Sequence, residues 1–221
     1  MGLPEVSVIL AGGLTQRFGS RLALGPLDLQ VAAGERLAVL GDNGAGKTTL
    51  LRLIATAARP TSGRLVLFGL DAGAQRERLR GRLGYLGHQP GVYEELSVRE
   101  NLEFFAVLQG VAAQRVTEAL EECGMATVQG ARAGTLSRGL QQRLALARSV
   151  LHQPDLLILD EPDASLDSSG RALLGRLFGD RTVLMATHDR SLARELCSRG
   201  LLLKAGRPAG DPWALQVVDG N

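Results

Sequence analysis

The sequence predicts an α/β fold with a mostly parallel core sheet, an N-terminal antiparallel β segment and a helical segment set into the middle of the chain. Three observations predict it. A glycine-rich loop, Gly41 to Thr48, stands between an apolar strand pattern and an apolar helix pattern. Two further apolar strand patterns, Leu156 to Asp160 and Thr182 to Ala186, flank a helical stretch from about Ser168 to Phe178. Between these halves, from about residue 90 to 150, the chain reads as successive helices. Strands that alternate with helices imply a parallel sheet covered on both faces.

Taken in order, Val6 to Val39 reads as short strands broken by Gly12-Gly13, Gly19-Ser20, Gly25-Pro26 and Ala33-Gly34, which suggests antiparallel hairpins. They lead into a buried strand, Arg36 to Leu40. After the glycine loop, Leu50, Leu51, Leu53 and Ile54 mark a helix that Pro60 and Gly63 end, and Arg64 to Phe68 resumes as a strand. Ser97 with Glu100 three residues on is a capping-box signal ahead of Leu102, Phe104 and Phe105. Gln114 to Cys123 reads as a helix ended by Gly124, and Ser137 as the N-cap of a long helix through Leu151 that Pro154 breaks. One domain over residues 1–215, with a short tail over 216–221, accounts for the whole.

Composition narrows the class. The 221 residues carry 25 basic and 23 acidic side chains, a balance without the electrostatic footprint of a nucleic-acid binder. A local run of Arg76, Arg78, Arg80 and Arg82, with Glu77 among them, reads either as a solvated face or as a contact for anionic lipid. Cys123 and Cys197 are far apart and fit buried thiols better than a disulfide framework. Met1 to Leu10 lacks the pattern of a secretory signal, and the apolar runs, such as Leu156 to Leu159, fall far short of the roughly 20 residues that span a bilayer.

The chemistry centres on Gly41-Asp42-Asn43-Gly44-Ala45-Gly46-Lys47-Thr48, with Thr49 next on the helix. It fits the pattern Gly, four residues, Gly-Lys-Ser/Thr, in which glycines let backbone N–H groups close on phosphate at a helix N-terminus. Lys47 supplies a cation for the β- and γ-phosphates and Thr48 a hydroxyl for Mg²⁺. With Gly at about 7% of average usage, these fixed positions coincide by chance in roughly one chain in a hundred. Their place after a strand and before a helix lowers that further. Asp160 and Glu161 close an apolar strand, at the edge where ligands gather in open α/β sheets. There Asp160 is placed to hold Mg²⁺ through water, and Glu161 to polarise an attacking water.

Read with Leu136-Ser137-Arg138-Gly139-Leu140-Gln141-Gln142 upstream, these residues resemble the nucleotide-binding subunit of ABC transporters over nearly the whole chain. Gln89 lies at that family's Q-loop glutamine, Ser165-Leu166-Asp167 matches its D-loop, and His188 after Thr187 its switch histidine. Phe18 fits the aromatic that stacks on adenine. Alone, His188 would be an ordinary surface or core histidine and Phe18 a core aromatic; the order of the motifs lends them meaning. The resemblance implies a P-loop NTPase fold of the ABC ATPase type, with ATP and Mg²⁺ as cofactors and Glu161, His188 and Gln89 as catalytic residues. Gln89 would join Thr48 and Asp160 around the metal.

The same resemblance implies a head-to-tail pair, in which Ser137, Gly139 and Asp167 meet the nucleotide of a partner domain. A homodimer is expected, peripheral on the cytoplasmic face of a membrane and working through separate permease subunits that dock near Gln89 to Ser97, with Tyr93, Glu94 and Glu95 as candidates. Arg138 and Leu140 depart from the usual glycine and glutamine of the signature segment, which sets a long cation near the partner nucleotide. Asp163 stands where threonine is usual. Gly87-His88-Gln89 and the run from Leu136 to Arg148 look like the ATPase subunit of the heme exporter of bacterial cytochrome c maturation. The alternatives are an exporter of another small molecule, or a soluble ABC ATPase of DNA repair or translation; a small-molecule kinase would leave the signature segment and Asp167 unexplained.

Overall fold

The computed structural model describes residues 7–210 and 212–213, so the residues at each end, the 216–221 tail among them, lie outside it. Two sheets organise the chain. The first is antiparallel, in the order β2-β1-β4-β5, from β1 (Ser7–Phe18), β2 (Arg21–Ala32), β4 (Ser62–Leu67) and β5 (Leu70–Asp71). The second is mostly parallel, in the order β10-β9-β3-β8-β7-β6. It is built from β3 (Arg36–Leu40), β6 (Leu83–Leu86), β7 (Leu156–Asp160), β8 (Thr182–Ala186) and β9 (Arg199–Lys204), with β10 (Arg207–Pro208) antiparallel at one edge.

The parallel strands are buried on both faces, and the alternation of their side chains shows it. Leu37 and Val39 of β3, Leu156 and Ile158 of β7, and Leu184 and Ala186 of β8 join one core, with the antiparallel sheet and α1 (Lys47–Ile54). Their neighbours Ala38, Leu40, Leu157, Leu159, Val183 and Met185 join the other. That second core also takes in α3 (Val98–Gln109), α4 (Ala113–Glu122), α5 (Arg138–Val150) and α6 (Ser168–Phe178). The period of two, with both faces apolar, is what a covered parallel sheet requires. The short α2 (Arg76–Arg80) and α7 (Arg190–Leu196) complete the helices.

The expectation of several short N-terminal strands is corrected: two strands of 12 residues run straight through Gly12-Gly13 and Gly25-Pro26. The register of β1 against β2 slips between Ala11 and Leu14, and again between Leu14 and Gln16, so these pairs mark bulges instead of turns. Gly13 takes φ 57° at the first bulge, and its N–H donates to Asp28 Oδ1 at 2.7 Å, so the donor released from the ladder stays satisfied. Only Gly19-Ser20 and Ala33-Gly34 end strands.

The helix signals hold. Ser97 Oγ accepts from Glu100 N at 3.2 Å and Glu100 Oε2 accepts from Ser97 N at 2.8 Å, a complete capping box that starts α3. Gly124, at φ 66°, follows α4. Ser137 N-caps α5 by accepting from Leu140 N at 3.3 Å. Both cysteines are buried and free, and burial pushes each thiol up to about 12. Ser97→Ala removes one half of the capping box, and a melting temperature lower by about 2–4 °C is expected in a thermal scan.

Candidate functional site

Four neighbouring strands bring their C-terminal ends to one line. In sheet order these are β3, β8, β7 and β6, and beyond them come Lys47, His188, Glu161 and His88 in that sequence. The glycine loop turns tightly after β3. Gly41 has φ 146°, and a Cβ there would stand 2.3 Å from the Leu203 carbonyl oxygen; at Gly46, φ 105°, it would stand 2.6 Å from that of Ala23. No residue with a side chain fits either place. Ala45 O accepts from Gly206 N at 3.0 Å and Gly206 O from Gly25 N at 2.6 Å, so the bulge in β2 anchors the phosphate loop.

Gly46 is the N-cap of α1 and carries no side chain to cap it. The first-turn N–H groups of Lys47, Thr48 and Thr49 therefore face the pocket along with the positive end of the helix. A Cβ built on Gly44 would meet nothing within 4 Å, because that side of the loop is open. Lys47 is 6% exposed; its Nζ donates to Gly41 O at 2.7 Å and Asp42 O at 3.2 Å. From that point a chain of contacts runs outward. Lys47 Nζ lies 3.4 Å from His188 Nε2, which lies 2.8 Å from Glu161 Oε1.

Asp160 and Glu161 are adjacent in sequence and opposite in setting. Glu161 takes φ 53°, donates its N–H to Ala186 O at 2.8 Å and accepts from Gln142 Nε2 at 3.2 Å, so the strand is twisted and pinned at this residue. Its side chain emerges into the pocket. Asp160 stays inside, 2% exposed, with Oδ2 buried and unpartnered. Burial pushes its carboxyl above the ordinary range, the Thr48 hydroxyl beside it draws it back, the Glu161 charge raises it, and His88 and Lys47 lower it. A desolvated carboxylate with an unused oxygen, next to a threonine hydroxyl, suits a hard cation such as Mg²⁺. Among the described residues no group of three or more His, Cys, Asp or Glu side chains could hold a metal, so phosphate oxygens and water would complete the shell.

Gly44, Gly46, Lys47 and Glu161 line a cavity of about 620 Å³ that also takes in Phe18, Asn43, Ala45, Thr48 and Thr49, whereas Asp160 lies outside its lining and His188 lines a neighbouring cleft with Gly41 and Asp42. Phe18, 62% exposed at the end of β1, lines it together with Arg21 and Ala23 of β2. Sequence reasoning missed Arg21, Ala23 and His88. Arg21 is there because it pairs with Phe18 across the hairpin. His88 is there because β6 runs beside β7, which sets its Nδ1 4.0 Å from Glu161 Oε2. Its neighbour Gln89 is exposed and outside the lining.

Ser137, Gly139 and Asp167 are gathered elsewhere, around a separate concavity with Arg138 and Leu140. A Cβ on Gly139 would stand 2.8 Å from Ser165 O, so the first turn of α5 packs directly on the loop before α6. Asp167 N-caps α6; the Gly170 N–H, the Ser169 hydroxyl and Arg143, 2.9 Å away, hold its carboxyl below the usual range. The predicted nucleotide residues thus fall into two groups that a single chain does not join.

Fold and sheet edge together define a nucleotide-binding domain of the phosphate-loop class. Residues 24–164 match the ABC transporter family, and the chain belongs to it as an ATP-binding domain with the ABC-type ATP hydrolase fold. The chain is 38% identical over 210 residues to the daunorubicin resistance ATP-binding protein DrrA3 of Streptomyces coeruleorubidus, covering 91% of this chain and 66% of that protein. It is 34% identical to a Nod factor export ATP-binding protein of a Rhizobium species, over 96% of this chain and 73% of that one. A solved dimeric ATP-binding cassette in a post-hydrolysis state, bound to ADP and Pi, superimposes with a TM-score of 0.84 at 26% identity, covering 92% of this chain and 97% of the other. Among the described residues no helix is long and apolar enough to cross a membrane.

Proposed function

We propose that this chain is one half of an ATP-driven export motor, in which two copies pair head to tail and close two ATP molecules between them. The observation that carries this reading is that the Lys47–His188–Glu161 contacts and the Ser137–Gly139–Asp167 group occupy separate places on the same chain. In the pair, the first group of one copy faces the second group of the other. Ser137, at the start of α5, offers its hydroxyl proton and the helix N-terminus to the γ-phosphate held by the partner.

Within each site, Lys47 turns from the loop carbonyls to the β- and γ-phosphates, and Phe18 stacks on the base. Thr48 and Asp160 would hold Mg²⁺, and Gln89 would join them from its loop when the halves close. When bound, that ion would supply charge neutralisation at the phosphate oxygens. Glu161 takes a proton from the attacking water as the new P–O bond forms and ADP leaves. His188 orients that carboxylate and stabilises the γ-phosphate charge. Loss of the γ-phosphate then lets the halves part.

The apolar surface around Tyr93 and α3 supports a membrane partner. Tyr93 packs on Phe104 and Phe105, at 5.0 and 6.1 Å between ring centres, and Val107 and Leu108 stand 81% and 66% exposed along α3. We place permease docking there, with Glu94 and Glu95 at its rim, and the assembly on the cytoplasmic face of the membrane. The names of the relatives speak of drug resistance and Nod factor export, which supports an outward direction. Heme is the cargo that the Gly87-His88-Gln89 and signature phrases favour.

Purification of the tagged chain from its native cells in mild detergent, followed by mass spectrometry, tests this role. Polytopic membrane subunits are expected alongside it, and heme-handling companions would fix the cargo. Recovery of only soluble proteins or nucleic acid would point to the soluble ATPase class instead.

A further inference from the structure

The arginine run after β5 has no part in the nucleotide pocket, and the structure divides it. Arg82 is engaged: its Nε donates to Asp155 Oδ2 at 2.6 Å, and its guanidinium lies 3.7 Å from the centre of the Phe68 ring. Arg76, Arg78 and Arg80 instead line a separate cleft together with Arg59. Among the described residues none of these four makes an ion pair, whereas Arg64, Arg99, Arg115, Arg143, Arg171 and Arg199 each meet a carboxylate. Glu77 is the one carboxylate in the lining, so four guanidinium groups face a single negative charge.

Two of the four are held in position from behind. Arg76 donates from Nε to the Thr56 carbonyl at 2.6 Å, and from Nη2 to the same oxygen. Arg78 donates from Nη1 to Gln75 Oε1 at 2.9 Å. Thr56 is β-branched at φ 54°, a conformation such residues adopt only under constraint, and it is 3% exposed with a hydroxyl that has no hydrogen-bond partner. It lines a narrower cleft that shares Arg59, Gly73 and Arg76 with the first. Arg59 and Arg76 therefore join two adjoining clefts, the narrower one carrying Asp71 and the unpartnered Thr56 hydroxyl and the wider one Arg78 and Arg80.

Four cations and one carboxylate in a single lining favour an anion among them. A phosphate group suits the place, because its tetrahedral oxygens accept the paired N–H groups of guanidinium. We propose that this cleft is a second anion site, for a phosphate-bearing ligand, distinct from the ATP pocket and independent of the reading given for it. A soluble phosphorylated compound and the headgroup of an anionic phospholipid share that chemistry.

The test uses the full chain with its ATP pocket filled by ADP. One arm titrates inorganic pyrophosphate calorimetrically; the other floats the protein with vesicles of phosphatidylglycerol or of phosphatidylcholine. Pyrophosphate binding identifies a soluble source, and binding to phosphatidylglycerol vesicles alone identifies lipid. In either arm Arg78→Glu with Arg80→Glu should weaken binding by about tenfold or more, and Arg78→Gln with Arg80→Gln by less, with ATP hydrolysis unchanged as evidence of an intact fold. The site does not exist if neither probe binds, or if binding is equal in wild type and both variants.

Discussion

Glu161→Gln is expected to lower steady-state ATP hydrolysis by about 10²- to 10⁴-fold while ATP still binds. The side chain that changes is the carboxylate that enters the phosphate-loop pocket. Its backbone is twisted to φ 53° and tied to Ala186 and Gln142, and its carboxylate reaches 2.8 Å from His188 Nε2. Glutamine has the same shape and cannot take up a proton from water, so position is kept and chemistry is lost. Phosphate release gives the rate and titration with a fluorescent ATP analogue gives the affinity. A variant that turns over at the wild-type rate would remove Glu161 from the role of base.

Lys47→Ala acts one step earlier, on binding. Its ammonium is the cation of the glycine loop and is nearly buried, so its loss removes charge-assisted hydrogen bonds worth together a few kcal/mol. Nucleotide affinity should fall by about a hundredfold. Equilibrium titration with ATP reads the change. Unaltered affinity would undo the assignment of the loop to phosphate, whatever the hydrolysis rate showed.

The parts of this site that lie within one short stretch of chain were legible in the sequence. The glycine loop needs strand, turn and helix in immediate succession, and the short apolar run before Asp160 and Glu161 reads as a covered strand. The caps at Ser97 and Ser137 are likewise local chemistry. What escaped depends on which strands become neighbours. His88 meets Glu161 only because β6 pairs with β7, and Arg21 joins the pocket only through its pairing with Phe18. Gly12-Gly13 and Gly25-Pro26 look like turns in isolation, yet the partner strand and the contact with Gly206 hold them as bulges in a continuous ladder. The close seat of Gly139 on Ser165 O is a tertiary contact of the same kind.

The central claim is that two copies close on ATP, and sedimentation of Glu161→Gln with and without saturating MgATP tests it most directly. The account predicts a monomer without nucleotide and a stable dimer with it, and a monomer in both conditions when Lys47→Ala is added. A Glu161→Gln chain that binds ATP and remains monomeric would contradict it.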